Sequence, residues 1–346
     1  MNAPRARVAR RPVHGVLLLD KPLGLSSNDA LQKVKWLLRA EKAGHTGTLD
    51  PLASGVLPLC FGAATKFSQL QLDADKRYEA VLQLGIKTST GDAEGDVTGT
   101  RSVLVSDAML RRAALQLTGP ISQVPPMHSA LKKDGKALYE YARAGVEVER
   151  DAREVVIHEL SVELCGDVSG AQSVRMRVLC SKGTYIRTLG EDLAGLLGCD
   201  GHLSMLRRTA TGGFDVSQSV TLPALEAMSE TQRMACLLPV DSLLTLHTAV
   251  SLDADHAQRF LSGLRRRGGW PDTAQVAVYG EQPAALLGSA HIRAGELIPT
   301  RLLNPPEIEQ CLAQWATAKA ETLLKPCGTD RGDLATDQVL NILRKP

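Results

Sequence analysis

Few side chains in this sequence stand where chemistry could use them, and the clearest is Asp50. It is the one acid in the stretch Gly44-His45-Thr46-Gly47-Thr48-Leu49-Asp50-Pro51-Leu52-Ala53-Ser54-Gly55-Val56-Leu57. Glycines let backbone approach a ligand closely, and Pro51 biases Asp50 away from helical geometry, so the carboxylate sits on a bend. Leu49, Leu52, Val56 and Leu57 can anchor that bend from beneath. Such a carboxylate either bonds its own backbone as a turn former or is displayed for chemistry; residue types alone leave both open, with the turn the commoner case. Arg187 is the best candidate partner, because a guanidinium beside a partly buried carboxylate keeps it ionised and fixes its orientation. Taken alone, Arg187 reads more simply as a surface or phosphate-binding arginine. Tyr78 follows Lys76-Arg77 in a chain only 3% aromatic. Its ring could stack on a planar base and its hydroxyl could move a proton, or it could pack on the core.

The elements that must position these groups can be read from periodicity. Val16-Leu17-Leu18-Leu19 is a short apolar strand ending at Asp20-Lys21-Pro22. Ser26, Ser27 or Asn28 caps a helix with an apolar stripe of Ala30, Leu31, Val34, Leu37 and Leu38, expected to end near Gly44. Residues 77–86 alternate as a strand, and 88–99 form a polar loop expected to be exposed. Ser106 caps a second helix running to Gly119-Pro120. Residues 121–136, with Pro125-Pro126 and three lysines, resemble an inserted loop. Residues 155–164 and 173–180 alternate as strands, and a helix from about Thr184 to Leu197 closes at Gly198. A helical connector spans 222–240. Beyond 248 short strands at 275–279, 284–289 and 296–299, punctuated by glycine, suit a small β-barrel. This irregular interleaving favours an α+β fold with a largely antiparallel sheet over a doubly wound order.

Composition bounds the function without naming it. A chain of 346 residues is long for one core, so two domains and a tail are expected. No apolar run approaches the length of a membrane span. Arg5, Arg7, Arg10 and Arg11 crowd the first residues, but no apolar segment or cleavage site follows them, so a signal peptide is not expected. Seven cysteines without any CxxC pair read as reduced cytosolic thiols and suggest no metal site. A net charge of +2 permits an RNA partner without requiring one. The basic clusters Arg5–Arg11, Lys132-Lys133-Lys136, Arg207-Arg208 and Arg265-Arg266-Arg267 could converge into a phosphate-tracking groove, although each alone reads more simply as a solvated face.

The Asp50 stretch resembles the catalytic motif of the TruB family of tRNA pseudouridine-55 synthases. The resemblance continues through Gly15-Val16-Leu17-Leu18-Leu19-Asp20-Lys21-Pro22, Asp75-Lys76-Arg77-Tyr78, Ser181-Lys182-Gly183-Thr184-Tyr185-Ile186-Arg187 and Leu203, Leu206, Arg207, Arg208. It covers residues 13–215 strongly and 240–305 weakly. It implies a pseudouridine-synthase core over 13–240 after a basic, disordered 1–12. An inserted RNA-contacting segment at about 121–150, a PUA-like RNA-binding barrel over 248–305 and an extension over 306–346 complete the implied plan. It further implies a cytoplasmic monomer that isomerises a uridine in the TΨC stem-loop of tRNA, with no cofactor and no metal. Asp50, Tyr78 and Arg187 would be catalytic, with Asp50 forming a covalent intermediate. His45 would fill the gap left when the uridine swings out, or else bond backbone. Lys21 would orient the Tyr78–Asp50 region or touch a phosphate, Leu206 would wall the base, and Arg207 and Arg208 would bind substrate. Asp92 would contact the T-loop or merely form a turn.

Three other readings compete. The first is a non-catalytic tRNA-binding or folding module of the same fold. The second is a phosphate-handling enzyme, which fails because Gly44 to Gly55 lacks the phosphate-loop pattern. The third is a glycosidase, which usually needs two carboxylates flanking one bond, whereas only Asp50 has the displayed setting.

Overall fold

The computed structural model describes residues 9–102, 104–166 and 172–323. The basic residues Arg5 and Arg7 and the tail beyond 323 lie outside the described residues. Two sheets dominate. The first runs β14-β1-β3-β12-β4-β11-β10-β7, built from β1 (Gly15–Lys21), β3 (Ala53–Phe61), β4 (Lys76–Leu84), β7 (Gly119–Gln123), β10 (Arg153–Gly166), β11 (Gln172–Cys180), β12 (Gly201–Thr211) and β14 (Val220–Thr221). Short strands β2 (Ala43–His45) and β13 (Phe214–Asp215) pair with β3 and β12. Only the β1–β14 and β3–β12 ladders are parallel. The expected α+β fold with a largely antiparallel mixed sheet is the one observed.

The second sheet is C-terminal and runs β15-β17-β18-β19-β16, from β15 (Thr248–Leu252), β16 (Arg266–Arg267), β17 (Thr273–Glu281), β18 (Ala284–Arg293) and β19 (Glu296–Leu302). This curled half-barrel stands where the small barrel was expected. Helix α9 (Pro305–Leu323) follows it and reaches back to residues beside β1 and β3. His14 Nε2 and Gln310 Oε1 lie 2.9 Å apart, and Lys66 meets Glu307 at 2.6 Å.

β1 and β3 are buried on both faces, which explains their continuous apolar runs. Leu17, Leu19, Leu57, Leu59 and Phe61 join one core with helix α1 (Ser27–Leu37). Val16, Leu18, Val56 and Cys60 join a second core with Val250, Phe260, Val276 and Val278 of the C-terminal unit.

Several boundaries differ from the sequence reading. Helix α1 is capped by Ser26, whose hydroxyl accepts from Asp29 N, and it stops at Leu37. Arg39 then takes a left-handed φ of 52° and the chain enters β2, so Gly44 is a strand residue rather than a helix end. The stretch expected to be one inserted loop begins with β7 inside the main sheet. Only later does it turn outward through a small hairpin, β8 (Lys132–Lys133) and β9 (Lys136–Ala137), and helix α4 (Leu138–Arg143).

Candidate active site

Asp50 sits on the connection between β2 and β3, and that connection is tightly held. Ser27 Oγ accepts from Leu49 N at 2.7 Å and donates to Leu49 O at 3.0 Å. Gly24 N donates to Pro51 O, Thr46 N to Pro58 O and Ala53 N to Asp50 O. Leu49 is buried below, and the Asp50 side chain keeps 36% exposure through an adjoining cavity. The turn and display readings are therefore not alternatives, because the turn is what displays the acid.

Arg187 lies in the first turn of helix α5 (Ile186–Leu196), 4% exposed. Its Nη2 is 2.9 Å from Asp50 Oδ2 and donates to His128 O, its Nη1 donates to Thr90 O, and its Nε faces Asp92 Oδ2 at 3.7 Å. One buried guanidinium is thus shared between two carboxylates. Burial raises the Asp50 pKa, Arg187 pulls it back down, and Asp92 pushes it up again.

The loop carrying Asp92 was expected to be exposed. Instead it is pinned over α5, with Ala93 N donating to Leu203 O and Leu203 N to Gly91 O. Gly91 takes φ +73°, and a Cβ there would lie 3.5 Å from Arg187 Cβ. Asp92 is 3% exposed and accepts from Thr90 Oγ1 and Glu94 N. It forms a turn and backs Arg187 at once.

The cavity, about 380 Å³, is lined by Asp50 and Arg187 together with Tyr78, Tyr185, Leu206 and Arg208. Strand register explains the grouping. Tyr78 on β4 is opposite Arg208 on β12, which is opposite Gly55 on β3; the next row is Ala80, Leu206 and Ala53. The small residues leave room that Leu206 and Tyr78 border. A Cβ at Gly55 would fall 2.1 Å from Arg208 O, so this close approach of strands requires glycine. A bulge between Arg208 and Ala210 ends the regular ladder beside the cavity.

Lys21 is fully buried; its ammonium donates to Pro22 O at 2.8 Å and Leu25 O at 2.6 Å. Burial brings its pKa down to about 8, against the upward pull of Asp50. A phosphate contact needs exposure that this residue lacks here, and its ammonium is held by backbone carbonyls rather than by Asp50 or Tyr78. Arg207 points to the other face of β12 and makes a bidentate pair with Asp20 at 3.0 and 2.8 Å, away from the cavity. His45, half-buried on β2, is not part of the cavity wall; burial and Arg208 lower its pKa. The basic residues that are described stand in different settings. Arg208 is interior, Arg265 and Arg267 pair with Glu296, and Arg11 pairs with Glu230, whereas Lys132, Lys133 and Lys136 are exposed.

Tyr185 is a cavity residue to which the sequence reading gave no role. Gln123 clamps it, accepting from Tyr185 N at 3.1 Å and donating to Tyr185 O at 3.3 Å. Ser129, Ala130 and Leu131, from the stretch read as an inserted loop, supply another wall. An aromatic two residues before Arg187 was the available signal. Among the described residues no three His, Cys, Asp or Glu side chains gather as metal ligands, and no helix is long and apolar enough to cross a membrane.

Two family models match the chain: the N-terminal domain of TruB family pseudouridylate synthase over residues 35–186, and the tRNA pseudouridylate synthase B C-terminal domain over 187–245. The junction falls between Ile186 and Arg187, so the Asp50–Arg187 pair joins the two matched segments. The chain is 62% identical over 314 residues to tRNA pseudouridine synthase B of Verminephrobacter eiseniae, covering 90% of this chain and 95% of that protein. It is 58% identical to the protein of the same name from Ralstonia nicotianae, covering 87% and 97%. Among solved structures, a chain of a Cbf5-Nop10-Gar1 complex superposes with a TM-score of 0.64 at 25% identity, covering 85% of this chain and 86% of that one.

Proposed function

The chain belongs to the TruB family of pseudouridylate synthases, and from that premise we propose that Asp50 isomerises uridine 55 in the TΨC loop of tRNA through a covalent intermediate. The coarser activity, conversion of uridine to pseudouridine in tRNA, is that of the family members it resembles over nearly their whole length.

The reaction breaks the N1–C1′ bond, turns the freed uracil and joins C5 to C1′; C5 loses a proton and N1 gains one. No electron or phosphoryl group moves. The chemistry asks for an ionised carboxylate beside the sugar and base, a proton carrier, and a closed pocket that retains the loose base. Burial holds the Asp50 pKa above the ordinary carboxylate value, and Arg187 is the neighbour that most favours its ionised form. Leu206 and Tyr78 offer an apolar wall and an aromatic face, and Tyr185 borders the same space. Extruding the uridine costs a few kcal/mol of stacking and pairing, which contacts to the loop's shape and 2′-hydroxyls must offset. The single observation carrying this reading is the 2.9 Å Asp50–Arg187 pair set into a cavity beside Tyr78.

In the same proposal, residues 13–240 form the catalytic domain and 248–305 an RNA-binding unit, with 121–150 and its exposed Lys132, Lys133 and Lys136 reaching the RNA. His45 stands ready to fill the vacated stack. The protein acts as a cytoplasmic monomer. The test uses tRNA tritiated at uracil C5. Wild type should release tritium from position 55, while Asp50→Asn should bind tRNA within about threefold of wild type yet release none, the pattern of a group needed for the chemical step rather than for binding. Turnover by that variant, or release only from another uridine, would contradict the proposal.

A further inference from the structure

In the proposed reaction the extruded uridine enters the Asp50 cavity with a phosphodiester on each side, and those phosphates stay near the mouth while the base goes in. The cations inside the cavity are already committed. Arg187 serves Asp50, Asp92 and two backbone carbonyls. Lys76 is held by the carbonyls of Leu72 and Ala74, and Arg208 is 1% exposed with its Nε on Val56 O. A phosphate at the mouth therefore needs a cation that stands on the rim and in solvent.

Lys182 is such a cation. It lies in the turn between β11 and α5, immediately before the cavity residues Gly183, Thr184 and Tyr185. The backbone of that turn is fixed. Ser181 N donates to Val156 O and Ser181 Oγ accepts from Val156 N, both at 2.9 Å, and Thr184 Oγ1 donates to Ser181 O at 3.0 Å. The Lys182 side chain, 62% exposed, reaches across to Asp73, with Nζ 2.7 Å from Oδ1. Asp73, 51% exposed, ends helix α2 (Ser68–Leu72) directly after Leu72, another residue of the cavity wall.

The ion pair thus joins two segments of the wall through side chains that both stand in water. An exposed pair of this kind is screened by salt and adds little to stability, so its partners exchange easily. A phosphodiester carries the same single negative charge as a carboxylate and offers the same kind of oxygen acceptor to an ammonium.

Resting on the proposed isomerisation, we propose that Lys182 binds a phosphate adjoining the extruded uridine and that Asp73 holds its place in the free protein. On binding, Lys182 Nζ leaves Asp73 Oδ1 for a phosphate oxygen, and no covalent bond changes. Asp73 then acts as a built-in competitor. An RNA whose target stays stacked in its loop brings no phosphate to that point, and the pair stays closed.

The test measures equilibrium binding of a synthetic TΨC stem-loop to wild type, Lys182→Met, Asp73→Asn and the double variant at several salt concentrations, with thermal melting in parallel. Lys182→Met should bind about tenfold more weakly, and its log affinity should fall with log salt on a slope shallower by about one. Asp73→Asn should bind about threefold tighter. That gain should shrink in the Lys182→Met background, because a competitor matters only while the lysine is there. All three variants should melt close to wild type, as loss of an exposed pair requires. A second measurement changes the RNA instead. An uncharged methylphosphonate at one of the two phosphates beside the target uridine should weaken binding to wild type about tenfold and leave binding to Lys182→Met unchanged. Methylphosphonates that spare wild type or weaken both proteins alike, a salt slope unmoved in Lys182→Met, or an Asp73→Asn gain equal in both backgrounds overturns the inference. Tritium release by wild type is followed alongside. If wild type makes pseudouridine in tRNA, those failures count against Lys182 and Asp73 alone; if it makes none, the proposed function fails first, and this inference with it.

Discussion

At the scale of single residues, the site is a contest over one carboxylate. Burial favours neutral Asp50, Arg187 favours the ionised form, and Asp92 opposes Arg187 from behind. The contest predicts shifts of opposite sign. Arg187→Met removes the cation, so Asp50 should hold its proton to higher pH and the acid limb of kcat/KM should move up. Asp92→Asn removes a repelling charge, so that limb should move down. The first change also strands the buried Asp92 carboxylate and should cost about 3–5 kcal/mol in thermal unfolding; the second should leave most of the rate. Shifts in the same direction would contradict the account. The Asp50–Arg187 pairing was legible because an acid on a glycine- and proline-bound bend needs a cation and the motif around Arg187 offered one. Asp92 was not, because a turn aspartate and a buried partner look alike until the loop's fold is known. Arg207 and Arg208 were read together, yet strand alternation sends one to Asp20 and the other to Val56 O at the cavity wall.

At the scale of elements, the acid is only as well placed as the bend that carries it. Ser27, the first residue of α1, satisfies both backbone groups of Leu49 with one hydroxyl. Ser27→Ala leaves those buried groups without partners, and we expect a loss of about 2–3 kcal/mol in thermal unfolding. The single-turnover rate should fall by about tenfold as Asp50 loses its fixed position. A variant as stable and fast as wild type would show that the bend holds itself. Periodicity located α1, α5 and the strand pair β10–β11 because one-sided burial writes a pattern into the chain. It failed at 88–99 and at 121–136. There polar or proline-rich segments are held by contacts from distant strands, such as Leu203 on Gly91, and no local pattern records them.

At the scale of the whole molecule, the central sheet is the common floor of two cores. One face carries α1 and α5, and the other seats the C-terminal sheet through Val16, Leu18, Val56 and Cys60. The run Val16 to Leu19 announced burial but not what would cover its second face. On the C-terminal sheet Arg265 and Arg267 answer Glu296 while Arg293 and Arg301 are exposed, and the lysines of the β8–β9 hairpin are exposed as well. The most direct measurement is the structure of the protein bound to a TΨC stem-loop carrying 5-fluorouridine at position 55. The account predicts that nucleotide extruded into the Asp50 cavity, with a carboxylate oxygen bonded to the nucleoside or within about 3–3.5 Å of C1′ or C6, an attack distance. A target nucleotide still stacked in its loop, or one bound away from Asp50, would contradict it.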